Sequence, residues 1–133
     1  MLYHISKTIE LPFDAAVTAT TEALKRHGFG VLTEIDVQTT LKKKIGVEFR
    51  PYRILGACNP QMAYEALLAE DRIGTMLPCN VIIQQREGGK VEVSAVDPVA
   101  SMKAVENPKL TESATKVREM LRKVVEEIGA TAA

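Results

Sequence analysis

With 133 residues, 46% hydrophobic and 26% charged, the chain has the balance of one globular domain (residues 1–133), able to bury about two thirds of its unfolded surface and too apolar for wholesale disorder. Its 17 basic and 17 acidic residues cancel, whereas nucleic-acid binders normally carry a basic excess, so no nucleic-acid partner is expected. Two cysteines do not make a disulfide scaffold, no apolar run approaches the about eighteen residues of a membrane span, and "MLYHISKTIELPFD" lacks the apolar core and basic leader of a secretory signal; the expectation is a cytoplasmic protein with free thiols and no membrane partner.

Residues 2–9 alternate imperfectly and read as a first strand. Pro12 and Asp14 open a helix in which Phe13, Ala16, Val17, Ala23 and Leu24 lie close to a 3.6-residue stripe. His27-Gly28 ends it, glycine suiting a left-handed cap and histidine the negative end of the helix dipole. "GVLTEIDV" (30–37) is the second strand, and "QTTLKKKIG" a two-turn helix capped by Asp36 and stopped by Gly46. "EFRPYRILGAC" (48–58) is the third strand, with Pro51 near its start because proline has no N–H for a ladder.

Asn59-Pro60 has the form of a cap followed by proline at the first helical position. The helix "PQMAYEALLAED" then directs Met62, Ala66, Leu67 and Ala69 inward, and "CNVIIQQREGGKVEVSAV" is a hairpin with a tight turn at Gly88-Gly89. Asp97-Pro98 begins a short helical stretch. After Asn107-Pro108, a last helix carries Leu110, Ala114, Val117, Leu121, Val124 and Ile128 in the clearest apolar stripe of the chain. The order β-α-β-(short α)-β-α-β-β-α predicts an α+β two-layer sandwich, with a mixed sheet and helices mainly on one face. Ile82, Val91, Val93 and Ala95 leave neither side of the final hairpin fully polar, which suggests a homodimer burying part of that surface.

The stretch "RPYRILGACNPQMAYEALLAEDRIGTMLPCNVIIQQ", with "HGFGVLTEIDV" and "LKKKIGVEFRPY" before it and "VEVSAVDP" after, resembles a prokaryotic family, domain of unknown function 302. The resemblance covers nearly the whole chain, and "YRILGACNP" with "LPCNV" at this spacing is its most specific part. It implies a small α+β fold, often dimeric, and no particular activity. Cys58, Asn59, Pro60, Leu77, Pro78, Cys79, Asn80 and Asp97-Pro98 match its motifs.

Both cysteines stand in the dipeptide Cys-Asn, at 58–59 and 79–80. Cys58 precedes a helix N-terminus, where unsatisfied N–H groups lower a thiol pKa from about 8.5 toward about 3.5–7.5 and attract anions. If the strands of Cys58 and Cys79 run antiparallel, both thiols lie at one end of the sheet, with the asparagines and Asp97 around one pocket. If they run parallel, the shared site disappears. Burial is the ordinary fate of a free cysteine, and Asn59 is explained as a cap.

The functional expectation is a small-molecule or anion-binding module, with Cys58, Asn59, Cys79, Asn80 and Asp97 near the ligand and Arg50 and Arg53 supplying polar contacts; cofactor and ligand identity stay open. The alternatives are redox or nucleophilic chemistry with Cys58 as thiol and Cys79 as its partner, and a structural homodimerisation module without a ligand. Cys-x-x-Cys and paired histidine spacings are missing, so no metal site is expected. No nucleophile elbow, Gly-x-Gly-x-x-Gly or positioned carboxylate pair occurs, which leans against an enzyme. His4 and His27 have structural roles, Lys42, Lys43 and Lys44 form a solvated face, and Gly88-Gly89 is a turn rather than a phosphate loop.

Overall fold

The computed structural model describes residues 2–129. Five strands, β1 (His4–Ile9), β2 (Gly30–Asp36), β3 (Tyr52–Cys58), β4 (Cys79–Gln85) and β5 (Val91–Val96), form one sheet in the order β1-β5-β4-β3-β2. Every neighbouring pair is antiparallel, so the fold is α+β as expected but the sheet is not mixed. The expectation of mixed pairing arose from helices separating most strands, which favours parallel crossovers. Here β1 and β2 do run the same way, but at opposite edges of the sheet, so they never pair.

Helices α1 (Phe13–Arg26) and α5 (Pro108–Glu127) cover one face. Ala16, Val17, Ala23 and Leu24 of α1 meet Leu121, Val124 and Val125 of α5 over Leu55, Val81, Ile83, Val91, Val93 and Ala95 of the sheet. Period-2 alternation sends those strand residues to the helices and their neighbours to the other side. The β5 apolar residues Val91, Val93 and Ala95 therefore belong to the core, and of the hairpin residues considered for a dimer only Ile82 faces away from it, in the cross-strand row Ser6–Ser94–Ile82–Ile54–Ile35. Ser6 donates to Ser94 Oγ at 2.7 Å within that row.

The helix ends are held by side chains. Lys7 Nζ donates to the Glu126 and Ile128 carbonyls at 2.8 Å each, meeting the free acceptors at the end of α5 with a positive charge. Glu127 accepts from His27 Nε2 at 2.6 Å and pairs with Arg26. These bonds hold its carboxyl below the usual carboxylate range. Helix α2 (Val37–Ile45) starts where the Thr39 N–H donates to Asp36 Oδ1 at 3.0 Å and stops at Gly46, φ 67°. Gln85 and Val91 pair across five residues, with Gly88 and Gly89 both at positive φ, so the hairpin connection is longer than a two-residue turn.

At the β3 C-terminus the chain enters α3 (Pro60–Ala69), continues through a 3-10 turn (Asp71–Met76), and re-enters the sheet at Cys79 after a cis Leu77–Pro78 peptide. Short α4 (Pro98–Ser101) follows β5. Together with α5 these segments build a second, smaller core of Ala66, Ile73 and Leu110. Contrary to the expected inward set of α3, only Ala66 is buried and Leu67 is exposed.

Gly56 is the tightest point between β3 and its neighbours. A Cβ there would meet the Thr33 hydroxyl and stand 2.7 Å from Pro78 Cγ. We expect Gly56→Ala to lower unfolding free energy by about 1–3 kcal/mol, the usual range for overpacking, with Thr33→Ala recovering part of the loss in the double variant. Urea unfolding of the three proteins checks this.

Candidate functional site

The antiparallel register sets Ala57 opposite Cys79 and Gly56 opposite Asn80, so the end of β3 and the start of β4 share one end of the sheet. There a cavity of about 360 Å³ opens between the main core and the small one. Its floor includes Ala57 and Cys79, and α3 contributes Met62, Ala63, Ala66 and Leu67. Helix α5 adds Leu110, Ser113, Ala114 and Val117, while Pro98 and Met102 close one side. Small side chains at 57, 63, 66 and 114, with Gly74 in the 3-10 turn, leave this space unfilled between elements that larger residues hold apart.

A bulge brings Leu32 to the rim. Val31 pairs with Ala57 and Thr33 with Gly56, leaving Leu32 as the extra residue of β2. Such an insertion breaks the alternation and re-aims a side chain. Leu32 and Leu67 both line the cavity and are 67% and 42% exposed, which marks its mouth.

Of the residues expected at the site, Cys58, Asn59 and Cys79 line this cavity and the others do not. Asn80 is exposed on the opposite sheet face, opposite Gly56. Asp97 accepts from the Val99 and Ala100 N–H groups at 3.0 and 3.4 Å and pairs with Arg118 at 3.3 Å. Its neighbour Pro98, rather than its carboxylate, reaches the cavity.

Arg53 lies near the start of β3, roughly 17 Å along the strand from Cys58 at about 3.4 Å per residue, and Arg50 precedes the strand. Arg53 pairs with Glu34 at 2.6 Å and Asp36 at 3.7 Å, its guanidinium 5.6 Å from the Phe13 ring centre. Arg50 donates to Gln84 at 3.0 Å and covers the Phe49 ring at 4.4 Å. Both charges are thus committed to packing and pairing.

The N-terminus of α3 is largely satisfied by its own cap. The Met62 N–H donates to Asn59 Oδ1 at 3.2 Å and the Ala63 N–H to the Asn59 carbonyl at 2.9 Å. Pro60 has no N–H. Only Gln61 of the first four residues is left with a donor to offer. Among the described residues no group of three or more His, Cys, Asp or Glu side chains is arranged to hold a metal ion.

Cys79 is buried, and loss of hydration, with a smaller contribution from Cys58, pushes its thiol from the ordinary 9.0 up to about 11. Desolvation disfavours the thiolate, so Cys79 is a neutral wall of the cavity at physiological pH. The positions that sequence reasoning missed (Phe29, Leu32, Ala114 and Val117) carry no chemical signal; only the fold identifies them.

A second depression of about 380 Å³ lies between the outer sides of α3 and α5, lined by Glu65, Lys109, Glu112 and Lys116. Its alternating charges cancel one another. No helix among the described residues is long and apolar enough to cross a membrane.

The raised Cys79 pKa sets a pH dependence. The folded state holds the Cys79 proton more tightly than the unfolded chain, so its contribution is complete below pH 9 and is lost as pH rises toward about 11. A gap of this size corresponds to roughly 2–3 kcal/mol. Cys79→Ala should flatten the decline of stability between those pH values relative to the native chain, as followed by urea midpoints across alkaline pH.

The family model described as "Domain of unknown function DUF302" matches residues 5–128. A crystal structure of an uncharacterized conserved protein DUF302 from Bacillus stearothermophilus is similar at 28% identity and a TM-score of 0.90, over 96% of this chain and 99% of that one. No curated protein matches. With the family model spanning nearly the whole sheet-and-helix unit, the chain belongs to the DUF302 family.

Proposed function

We propose that this protein is a small-molecule-binding module whose site is the cavity at the shared end of β3 and β4. The observation that carries this reading is an opening of about 360 Å³, within the range of about 300–1,000 Å³ typical of ligand pockets. The cavity opens to solvent at Leu32 and Leu67, so its largely apolar walls are hydrated when it is empty. Water filling it would meet few hydrogen-bonding partners. An apolar occupant that packs against the walls takes this surface out of water, which is favourable.

Thiol chemistry is the weaker alternative. Cys79 is held protonated at neutral pH, and Cys58 lies diagonal to it in the ladder rather than opposite. A homodimer, with or without a ligand, draws on the row of Ile35, Ile54 and Ile82 on the face not covered by α1 and α5, where Ile35 is 47% exposed. Sedimentation velocity of the native chain and Ile35→Lys distinguishes that reading.

Compounds that raise the melting temperature of the native protein in a chemically diverse screen should fail to do so in Ala66→Phe, whose ring occupies the cavity. Hits that stabilise both proteins equally would place binding elsewhere, and a screen without hits would count against a binding role.

A further inference from the structure

Granting the binding role proposed above, the walls of the cavity specify the class of ligand. We infer that it takes a neutral, mainly hydrocarbon molecule of roughly a dozen carbon atoms, with one oxygen at its polar end beside Asn59.

No Lys, Arg, His, Asp or Glu lines the cavity. A charged ligand would therefore lose its hydration without meeting a counter-charge, which is strongly unfavourable. Arg50, Arg53 and Arg118 are engaged with Gln84, with Glu34 and Asp36, and with Asp97, respectively. The helix N-terminus beside the cavity offers an anion little, since Asn59 already accepts the Met62 and Ala63 N–H groups.

The size follows from the same space. An apolar cavity of about 150 Å³ accommodates benzene; one of about 360 Å³ holds roughly twice as many carbons. Met62 and Met102 face it along with the two thiols. Thioethers are flexible and polarizable, so these walls can adjust to a chain rather than demand one rigid shape.

Two polar side chains, Asn59 and Ser113, line the cavity. Asn59 uses Oδ1 to cap α3, while its Nδ2 sits on the Gly28 side, 3.1 Å from the position of a Cβ built there. An alcohol or carbonyl oxygen on the ligand would accept from this amide. Ser113 adds a hydroxyl on the α5 side.

The test uses the native chain with its methionine methyl groups labelled for NMR, and three probes: 1-decanol, decanoate and inorganic phosphate. Titration with 1-decanol should shift the Met62 and Met102 signals and leave those of Met120, in the main core, and Met76, outside the cavity, in place. Decanoate should bind at least about tenfold more weakly than the alcohol, and phosphate should shift neither cavity methyl. Ala114→Phe should abolish the alcohol-induced shifts. Should that variant not fold, Leu67→Arg at the exposed rim should weaken the alcohol by about tenfold.

Decanoate or phosphate acting on Met62 and Met102 as strongly as the alcohol would overturn the neutral class while leaving the binding role standing. No response of Met62 and Met102 to any of the three probes would overturn both.

Discussion

The antiparallel pairing of β3 with β4 is the constraint on which the rest of the molecule depends. Two antiparallel neighbours can be joined by a two-residue turn, yet here a helix and a 3-10 turn intervene between Cys58 and Cys79. The chain must leave and return at the same end of the sheet. Helix α3 packs mainly against α5 and the 3-10 turn rather than along the sheet face covered by α1 and α5. It closes on α5 through Ala66 and Leu110 instead of on the sheet. A second core forms there, and the cavity is the gap between the two.

The same constraint explains the crowding at Gly56. At this position β3 passes under Thr33 of the bulged β2 on one side and Pro78 at the start of β4 on the other. A side chain here would push apart the strands that fix the register of Ala57 with Cys79. The bulge that lets Thr33 sit over Gly56 also frees Leu32 for the cavity rim. Packing and site geometry are thus parts of one local arrangement.

Charge is distributed away from this region. Asp36 pairs with Arg53, and the Thr39 N–H bond holds its carboxyl below the usual range. Glu127 ties the ends of α1 and α5 together through His27 and Arg26, and Asp97 joins α4 to Arg118. The Glu127 pairs are solvent-exposed, whereas Asp97 is buried and pairs with Arg118 beside the cavity-lining Pro98 and Val117. What remains around Cys58 and Cys79 is mostly alkyl and sulfur surface, with Asn59 and Ser113 as its polar side chains.

Local physics was enough to make much of this legible in the residues alone. Asp36, Asn59, Asp97 and Asn107 announce their helices because a short side-chain oxygen meets an N–H two or three residues on. The α5 stripe shows which face is buried because helical period and burial coincide. Both Cys-Asn dipeptides lie at strand boundaries, at the end of β3 and the start of β4, because the cap and proline beside them are local features. Arg50 and Arg53 were drawn into the expected site by closeness in sequence, although an extended strand carries neighbours in sequence far apart in space. Whether β3 and β4 run parallel or antiparallel was decided only in three dimensions, because alternation records which face a residue occupies and not the direction of the neighbouring strand. The cavity belongs to that same class of fact. It is an absence of volume bounded by Leu32, Ala66, Met102 and Ala114, residues whose small or apolar side chains look like ordinary core until the packing of distant segments shows that they do not meet.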